Sequence, residues 1–215
     1  MTPEDFIKSN AALMAPPLVP EIKLYLASEV VPLWRATEEE LAQIGVPPPY
    51  WAFAWAGGQA LARYVLDHPE LVAGKRVLDI GTGSGLVGLA AIRAGAASVL
   101  AADIDAFACA AVRLNAAAND CDITVTQDDL IGVPPVWDVI LVGDLFYERP
   151  LAERLLAWLS PLDVPALLGD PGRNYFPKTH VEKLASYSVQ TTRDLEDREI
   201  RETGVYRLER PKPGG

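Results

Sequence analysis

From residue 75 onward, short apolar runs alternate with longer stretches whose apolar residues recur every three or four positions. The short runs predict strands at 75–80, 97–102, 122–126, 137–143, 164–169, 185–192 and 204–210. The longer stretches predict helices at 85–94, 106–118, 149–159 and 176–184. Val139-Ile140-Leu141-Val142 is apolar on both faces of a strand, which suits the middle of a covered sheet. Alternation of this kind predicts an α/β fold, with a mostly parallel sheet and helices on both faces. The last two runs have no long helix between them and are expected to pair antiparallel. Residues 193–203, which separate them, are charged and predict a solvated loop or hairpin tip.

Before residue 75 the pattern is weaker. Residues 2–14 predict a short helix, with Thr2 as its cap and Pro3 at its first position. Residues 20–31 predict a second helix or an extended stretch. Pro47-Pro48-Pro49 interrupts regular structure. Leu61, Tyr64 and Val65 share a face of a helix over 57–67. The expected organisation is an N-terminal helical extension (1–50), one α/β domain (51–210) and a disordered tail (211–215).

Half of the 215 residues are apolar, enough for one sizeable core. The net charge of −10 argues against a nucleic-acid binder, which needs a basic stripe. It favours a cationic partner such as a lysine-bearing protein surface. Cys109 and Cys121 have neither metal-ligand spacing nor the look of a disulfide framework. A reducing, cytoplasmic compartment and no metal are therefore expected. No basic start with an apolar centre marks a signal peptide, and no apolar run is long enough to cross a bilayer. A monomer is expected.

The chemistry concentrates at predicted strand ends. Residues 77–89 read Val-Leu-Asp-Ile-Gly-Thr-Gly-Ser-Gly-Leu-Val-Gly-Leu. Here a strand ends near Asp79, turns on Gly81, Gly83 and Gly85, and enters a helix. Such a turn lets a ligand approach the backbone closely and offers unpaired amides at a helix start. The phosphate loop's Gly-Lys-Ser/Thr is absent, and G-x-G-x-x-G is met only in the frame starting at Gly83. Asp103 follows the turn by about twenty residues, where a ribose-binding acid lies in doubly wound folds. Asp105 reads as a helix cap. Asp128 is preferred over Asp129 as an acceptor for an adenine amine. After the fourth strand come Gly143-Asp144-Leu145-Phe146-Tyr147, where Asp144 and Tyr147 can face a substrate and Leu145 and Phe146 can wall its pocket. Upstream, Trp51 and Trp55 flank the start of an alanine- and glycine-rich helix. Trp55 is read as a cofactor contact and Trp51 as a substrate contact.

Together, D-I-G-T-G-S-G at 79–85, A-D-I-D at 102–105 and D-L-F-Y at 144–147 resemble the class I seven-strand protein lysine methyltransferases with a D-x-x-Y motif. P-Y-W-A-F-A-W-A-G-G-Q-A-L-A-R-Y at 49–64 is similar to those members, a bacterial one included, that modify the beta subunit of electron transfer flavoprotein. The resemblance implies a Rossmann-like seven-stranded sheet with one antiparallel strand near its carboxyl end. It implies S-adenosylmethionine as methyl donor and S-adenosylhomocysteine as product. Asp79, Gly81, Gly83, Gly85, Asp103, Asp128, Gly143 and Trp55 would bind the cofactor. Asp144 and Tyr147 would be catalytic, and Trp51 and Phe146 would touch the substrate. The leading substrate is a lysine of the flavoprotein beta subunit. Two rivals remain: a nicotinamide-type methyltransferase of small amines, and a non-catalytic binding protein on the same fold.

Overall fold

A computed structural model describes residues 2–27, 47–191 and 200–209. Helix α1 (Pro3–Asn10) opens on a reciprocal cap: Thr2 Oγ1 accepts the Asp5 N–H, and the Asp5 carboxylate accepts the Thr2 N–H. The helix stops earlier than its pattern predicts. Ala11 is extended, and residues 12–14 form strand β1 (Ala12–Met14), antiparallel to β2 (Leu24–Leu26). Proline follows at 16 and 17, which disfavours helical backbone just before it. The expectation for residues 20–31 is met in part by β2, and its remainder from residue 28 lies outside the described residues.

After a single turn at Tyr50–Ala52 comes α2 (Ala56–Asp67). Then follow β3 (Arg76–Ile80), α3 (Leu86–Arg93), β4 (Ser98–Ala102), α4 (Ala106–Ala118), β5 (Thr124–Thr126) and β6 (Val139–Gly143). The chain ends with α5 (Arg149–Leu159), β7 (Ala166–Asp170), β8 (Val181–Gln190) and β9 (Ile200–Leu208). The sheet order is β5-β4-β3-β6-β7-β9-β8. All pairs are parallel except those made by β9, which runs against both neighbours. The strand order reverses beside β3, between its neighbours β4 and β6.

Side-chain alternation divides the core. Val77, Val99, Val139, Leu141, Leu167 and Val205 pack on one face with α2 and α3. Leu78, Ile80, Ile140, Val142 and Leu168 pack on the other with Ala152, Leu155 and Trp158 of α5. Both faces are covered, as a parallel sheet requires.

The predicted helix at 176–184 is absent. Residues 181–184 are the start of β8, and a bulge lies between Lys183 and Ala185. The bulge sets the adjacent Leu184 and Ala185 against the same half of the core and breaks the strand's alternation. Val181, Leu184 and Ala185 therefore carry the three- and four-residue spacing of a helical face, although Val181 packs in the other half. The strand β9 begins at Ile200, inside the stretch predicted as loop. Its charged start pairs with the far end of β8, past Gly204 where its pairing with β7 stops. The rest of that stretch from 193, and the tail from 211, lie outside the described residues. No helix among the described residues is long and apolar enough to cross a membrane.

Candidate functional site

The carboxyl ends of β3, β4 and β6 open onto a cavity of about 270 Å³, at the point where the strand order reverses. Of the residues singled out in the sequence, Trp51, Trp55, Gly81, Gly83, Asp103, Asp128, Gly143, Asp144 and Tyr147 line it. Asp79, Gly85 and Phe146 do not.

At one end lies the glycine turn. Asp79 is buried beneath it, and its Oδ2 accepts the Thr82 hydroxyl at 2.5 Å and the Gly88 N–H at 2.9 Å. Burial, with a smaller contribution from the Asp103 charge, pushes Asp79 up to about 7. Asp79 thus braces the turn without touching the cavity. Gly81, at φ +61°, holds a conformation that other residues rarely adopt, and a Cβ there would stand 2.5 Å from Leu145 Cδ2 and displace that side chain. Gly83, at φ +52°, is different, because its Cβ would enter the cavity and meet only the Tyr50 carbonyl oxygen at 4.0 Å. Gly85 caps α3 in a left-handed conformation and faces Val112. Asp103 closes this end. Its two oxygens accept the Gly83 N–H at 2.9 Å and the Asp105 N–H at 3.0 Å. Burial raises its pKa, and these amide bonds oppose the rise. Asp105 caps α4 through the Phe107 N–H, as expected.

Asp128 and Asp129 have separate partners. Asp129 accepts the Ile131 N–H and pairs with Arg154. Asp128 borders the cavity with one oxygen on the Thr126 hydroxyl.

At the other end stands Asp144, at φ +59°. Among non-glycine residues, Asp and Asn tolerate this region best. Its Oδ2 accepts the Gly58 N–H at 2.7 Å, in the first turn of α2. Its Oδ1 accepts two bonds from Arg173, from Nε at 3.0 Å and Nη2 at 2.7 Å. Arg173 follows β7 in a turn held by Asp170, whose Oδ1 accepts the Gly172 and Arg173 N–H groups at 2.7 Å each. The Arg173 guanidinium lies 5.5 Å from the Trp55 ring centre. Trp55 Nε1 donates to the Tyr50 carbonyl, and the Tyr50 ring lies 5.6 Å from Tyr147. Burial, chiefly, pushes the Tyr147 phenol up to about 12.

The glycines of W-A-G-G-Q let α2 press onto the strand ends. A Cβ at Gly57 would fall 2.2 Å from the Gly169 oxygen, and one at Gly143 would fall 3.2 Å from Gly58 Cα. Gly143 is therefore needed for packing as well as bordering the cavity.

Phe146 needs correction as a pocket wall. After the turn at Asp144, Leu145 faces the cavity and Phe146 points into the core, where it meets Phe176 edge-on at 5.2 Å. Trp51 is 0% exposed and packs with Ala108 and Ala111 of α4, and its buried Nε1–H has no acceptor among the described residues. The sequence reading overlooked Arg173 and Tyr50. The strand predicted at 164–169 stops one residue short of Asp170, which hides the D-P-G-R turn that delivers Arg173 as a strand exit.

A model of the ribosomal protein L11 methyltransferase (PrmA) family matches residues 59–142. The electron transfer flavoprotein beta subunit lysine methyltransferase of Xenopus laevis is 38% identical over 217 residues, covering 96% of this chain and 87% of that protein. The Homo sapiens protein of the same name is 38% identical over 182 residues, covering 80% of this chain and 68% of its own. Among solved structures, the magnesium protoporphyrin IX methyltransferase of Synechocystis PCC 6803 with bound SAM superposes with a TM-score of 0.53. It covers 71% of this chain and 78% of its own at 13% identity, which is a likeness of fold alone. The extent and level of identity to the frog and human proteins mean that this chain belongs to the electron transfer flavoprotein beta subunit lysine methyltransferase family.

Proposed function

We propose that the protein transfers a methyl group from S-adenosylmethionine to a lysine of the electron transfer flavoprotein beta subunit. The observation that carries this reading is one cavity with two chemically different ends. The turn at Gly81 and Gly83, with Asp103, suits an adenosine-bearing ligand. Position 83 leaves open the space a Cβ would fill, and Asp103 keeps acceptor capacity for ribose hydroxyls. Trp51 brings a buried N–H in need of an acceptor. We therefore assign Trp51 to the cofactor rather than to the substrate. Trp55, beside Arg173 and Asp144, goes to the substrate end. Asp128 would take the adenine amine, Gly143 lets α2 close over the strands, and Asp79 and Gly85 shape the turn from behind.

Bound S-adenosylmethionine supplies an electrophilic methyl group on a sulfonium, leaving S-adenosylhomocysteine. The chain's own residues must present the amine. Asp144 receives the incoming lysine head group and orients it. Tyr147 and Tyr50 flank its stem with apolar ring faces, and their rings also suit a methylated cation. The Tyr147 phenol stays neutral at physiological pH, so it donates and accepts hydrogen bonds but supplies no base. The proton of the lysine is released to water. Holding donor and amine in line can contribute about 7–11 kcal/mol to the rate. We also read the protein as a cytoplasmic monomer. Its two free thiols, one of them buried, suit a reducing compartment.

Mass spectrometry of the purified flavoprotein beta subunit, incubated with the protein and isotopic S-adenosylmethionine, tests the reading. The expected result is labelled methyl on lysine. Labelled nicotinamide or free amines, with an unlabelled flavoprotein, would replace it with a small-molecule function.

A further inference from the structure

Asp144 poses a chemical problem. A carboxylate within about 4–6 Å of an amine favours the ammonium and raises its pKa by about 1–3 units. Only the neutral amine carries the lone pair that accepts a methyl group, and free lysine already titrates near 10.4. A bare Asp144 would hold the substrate in its unreactive form.

Asp144 is not bare. Arg173 grips its Oδ1 through two nitrogens, and the Gly58 N–H at the start of α2 meets its Oδ2. Only 9% of the Asp144 side chain and 17% of the Arg173 side chain are exposed, so water screens the pair weakly. Arg173 is itself fixed, by the bond from its own N–H to Asp170 and by the Trp55 ring beneath its guanidinium.

We propose that Arg173 is a positioning residue which cancels the charge of Asp144, so that the docked lysine meets a neutral anchor and reacts unprotonated. This rests on the lysine methyltransferase reading above. The carboxylate still has lone pairs to orient an amine N–H. What it lacks, with Arg173 in place, is the net negative charge that would keep the third proton on the nitrogen. A carboxylate–guanidinium couple thus allows recognition of lysine without stabilising its charge.

The other groups around this pair have to be allowed for. Asp170 at the end of β7 interacts with both Asp144 and Arg173. Tyr147 after β6 interacts with Arg173, and in turn with Tyr50, Glu148 and Asp103. Tyr147 is neutral until about pH 12. Asp170 is pushed up to about 7, mainly by burial, so the comparison belongs well above that value, where Asp170 is already ionised.

The experiment is the pH profile of kcat on the flavoprotein beta subunit at saturating S-adenosylmethionine. That profile reports the ionisation of the bound lysine. Arg173→Gln should move the limb to higher pH by about one unit or more, with activity below the limb falling tenfold per unit. Arg173→Lys should leave the limb near its wild-type position. Asp144→Asn, with Arg173 intact, removes a negative charge beside the amine and should move the limb to lower pH. It tests the same balance if Arg173→Gln does not fold. Calorimetric titration of Arg173→Gln should give wild-type affinity for S-adenosylmethionine. A limb that stays in place in folded Arg173→Gln or Asp144→Asn, or a loss of cofactor affinity in Arg173→Gln, would overturn the proposal. A wild-type protein that binds the cofactor but methylates no lysine would overturn the functional reading itself.

Discussion

Gly57 and Gly58 stand side by side at the start of α2, yet the structure gives them opposite tolerances. A Cβ at Gly57 would lie 2.2 Å from the Gly169 carbonyl oxygen and 2.6 Å from Asp144 Oδ2. The first is backbone of β7 and cannot swing aside. A Cβ at Gly58 would meet only Val87 Cγ2 at 3.9 Å and Asp144 Oδ2 at 4.0 Å, which are ordinary contacts. In a helix, Gly→Ala alone gains about 0.5–1 kcal/mol. Gly58→Ala should keep that gain. Gly57→Ala should lose it to overpacking, which costs about 1–3 kcal/mol. For a chain of this size 1 kcal/mol moves Tm by about 2–4 °C. Gly58→Ala should therefore melt a few degrees above wild type, and Gly57→Ala level with it or several degrees below. Gly57→Ala also forces Asp144 off the Gly58 N–H, so its turnover should fall far more than its stability, while Gly58→Ala stays active. Thermal melts followed by circular dichroism, beside methylation assays, decide this. Equal melting and equal activity in the two variants would mean that α2 does not lie against β7 as described.

Asp103→Ala should weaken S-adenosylmethionine binding by about 1.5–3 kcal/mol for each charge-assisted hydrogen bond removed, measured by calorimetry. Unchanged affinity would remove Asp103 from the cofactor site. Tyr147→Phe should reduce turnover less than Asp144→Asn, since the ring face survives; the reverse order would assign the chemistry to the phenol. Methylation of the protein substrate should slow as salt rises while cofactor affinity changes little, because steering by a chain of net charge −10 is screened. A salt-independent rate would argue for a small neutral substrate. Asp170 is raised from 3.8 to about 7 in the folded protein, so the folded state binds its proton more tightly than the unfolded chain. Its contribution to stability is therefore present below about pH 4 and is lost as pH rises to about 7. Asp170→Asn should flatten that stretch of the stability–pH curve in urea melts, and an unaltered slope would contradict the burial argument.

Most of the sheet was legible because its strands are covered on both faces. Val139–Gly143 is apolar from end to end and rich in Val and Ile, which favour strands, so a buried central strand is its natural reading. Legibility failed at the edge. The bulge in β8 disguised a strand as a helix, and the charged start of β9 looked like loop because it pairs with a strand on one side only. At the site, Gly83, Asp103 and Asp144 could be found because each closes a strand at a readable spacing. Arg173 could not be found that way. Its meaning comes from a contact across 29 positions of sequence, and nothing local distinguishes it from any other charged turn residue. Phe146 failed for a related reason. A motif fixes which residues are near a strand end, but the turn at Asp144 decides which of them point inward.

The hydrogen bond from Gly58 to Asp144 ties the acid offered to the substrate to the mooring of a helix. Sequence change at position 144 is consequently judged twice, once by chemistry and once by architecture. A lineage adapting to a new lysine-bearing partner would find that position closed. Its freedom lies at the exposed rim, as at Tyr175, where a side chain can change without unseating α2. Partner choice can drift there while the means of methyl transfer stays fixed.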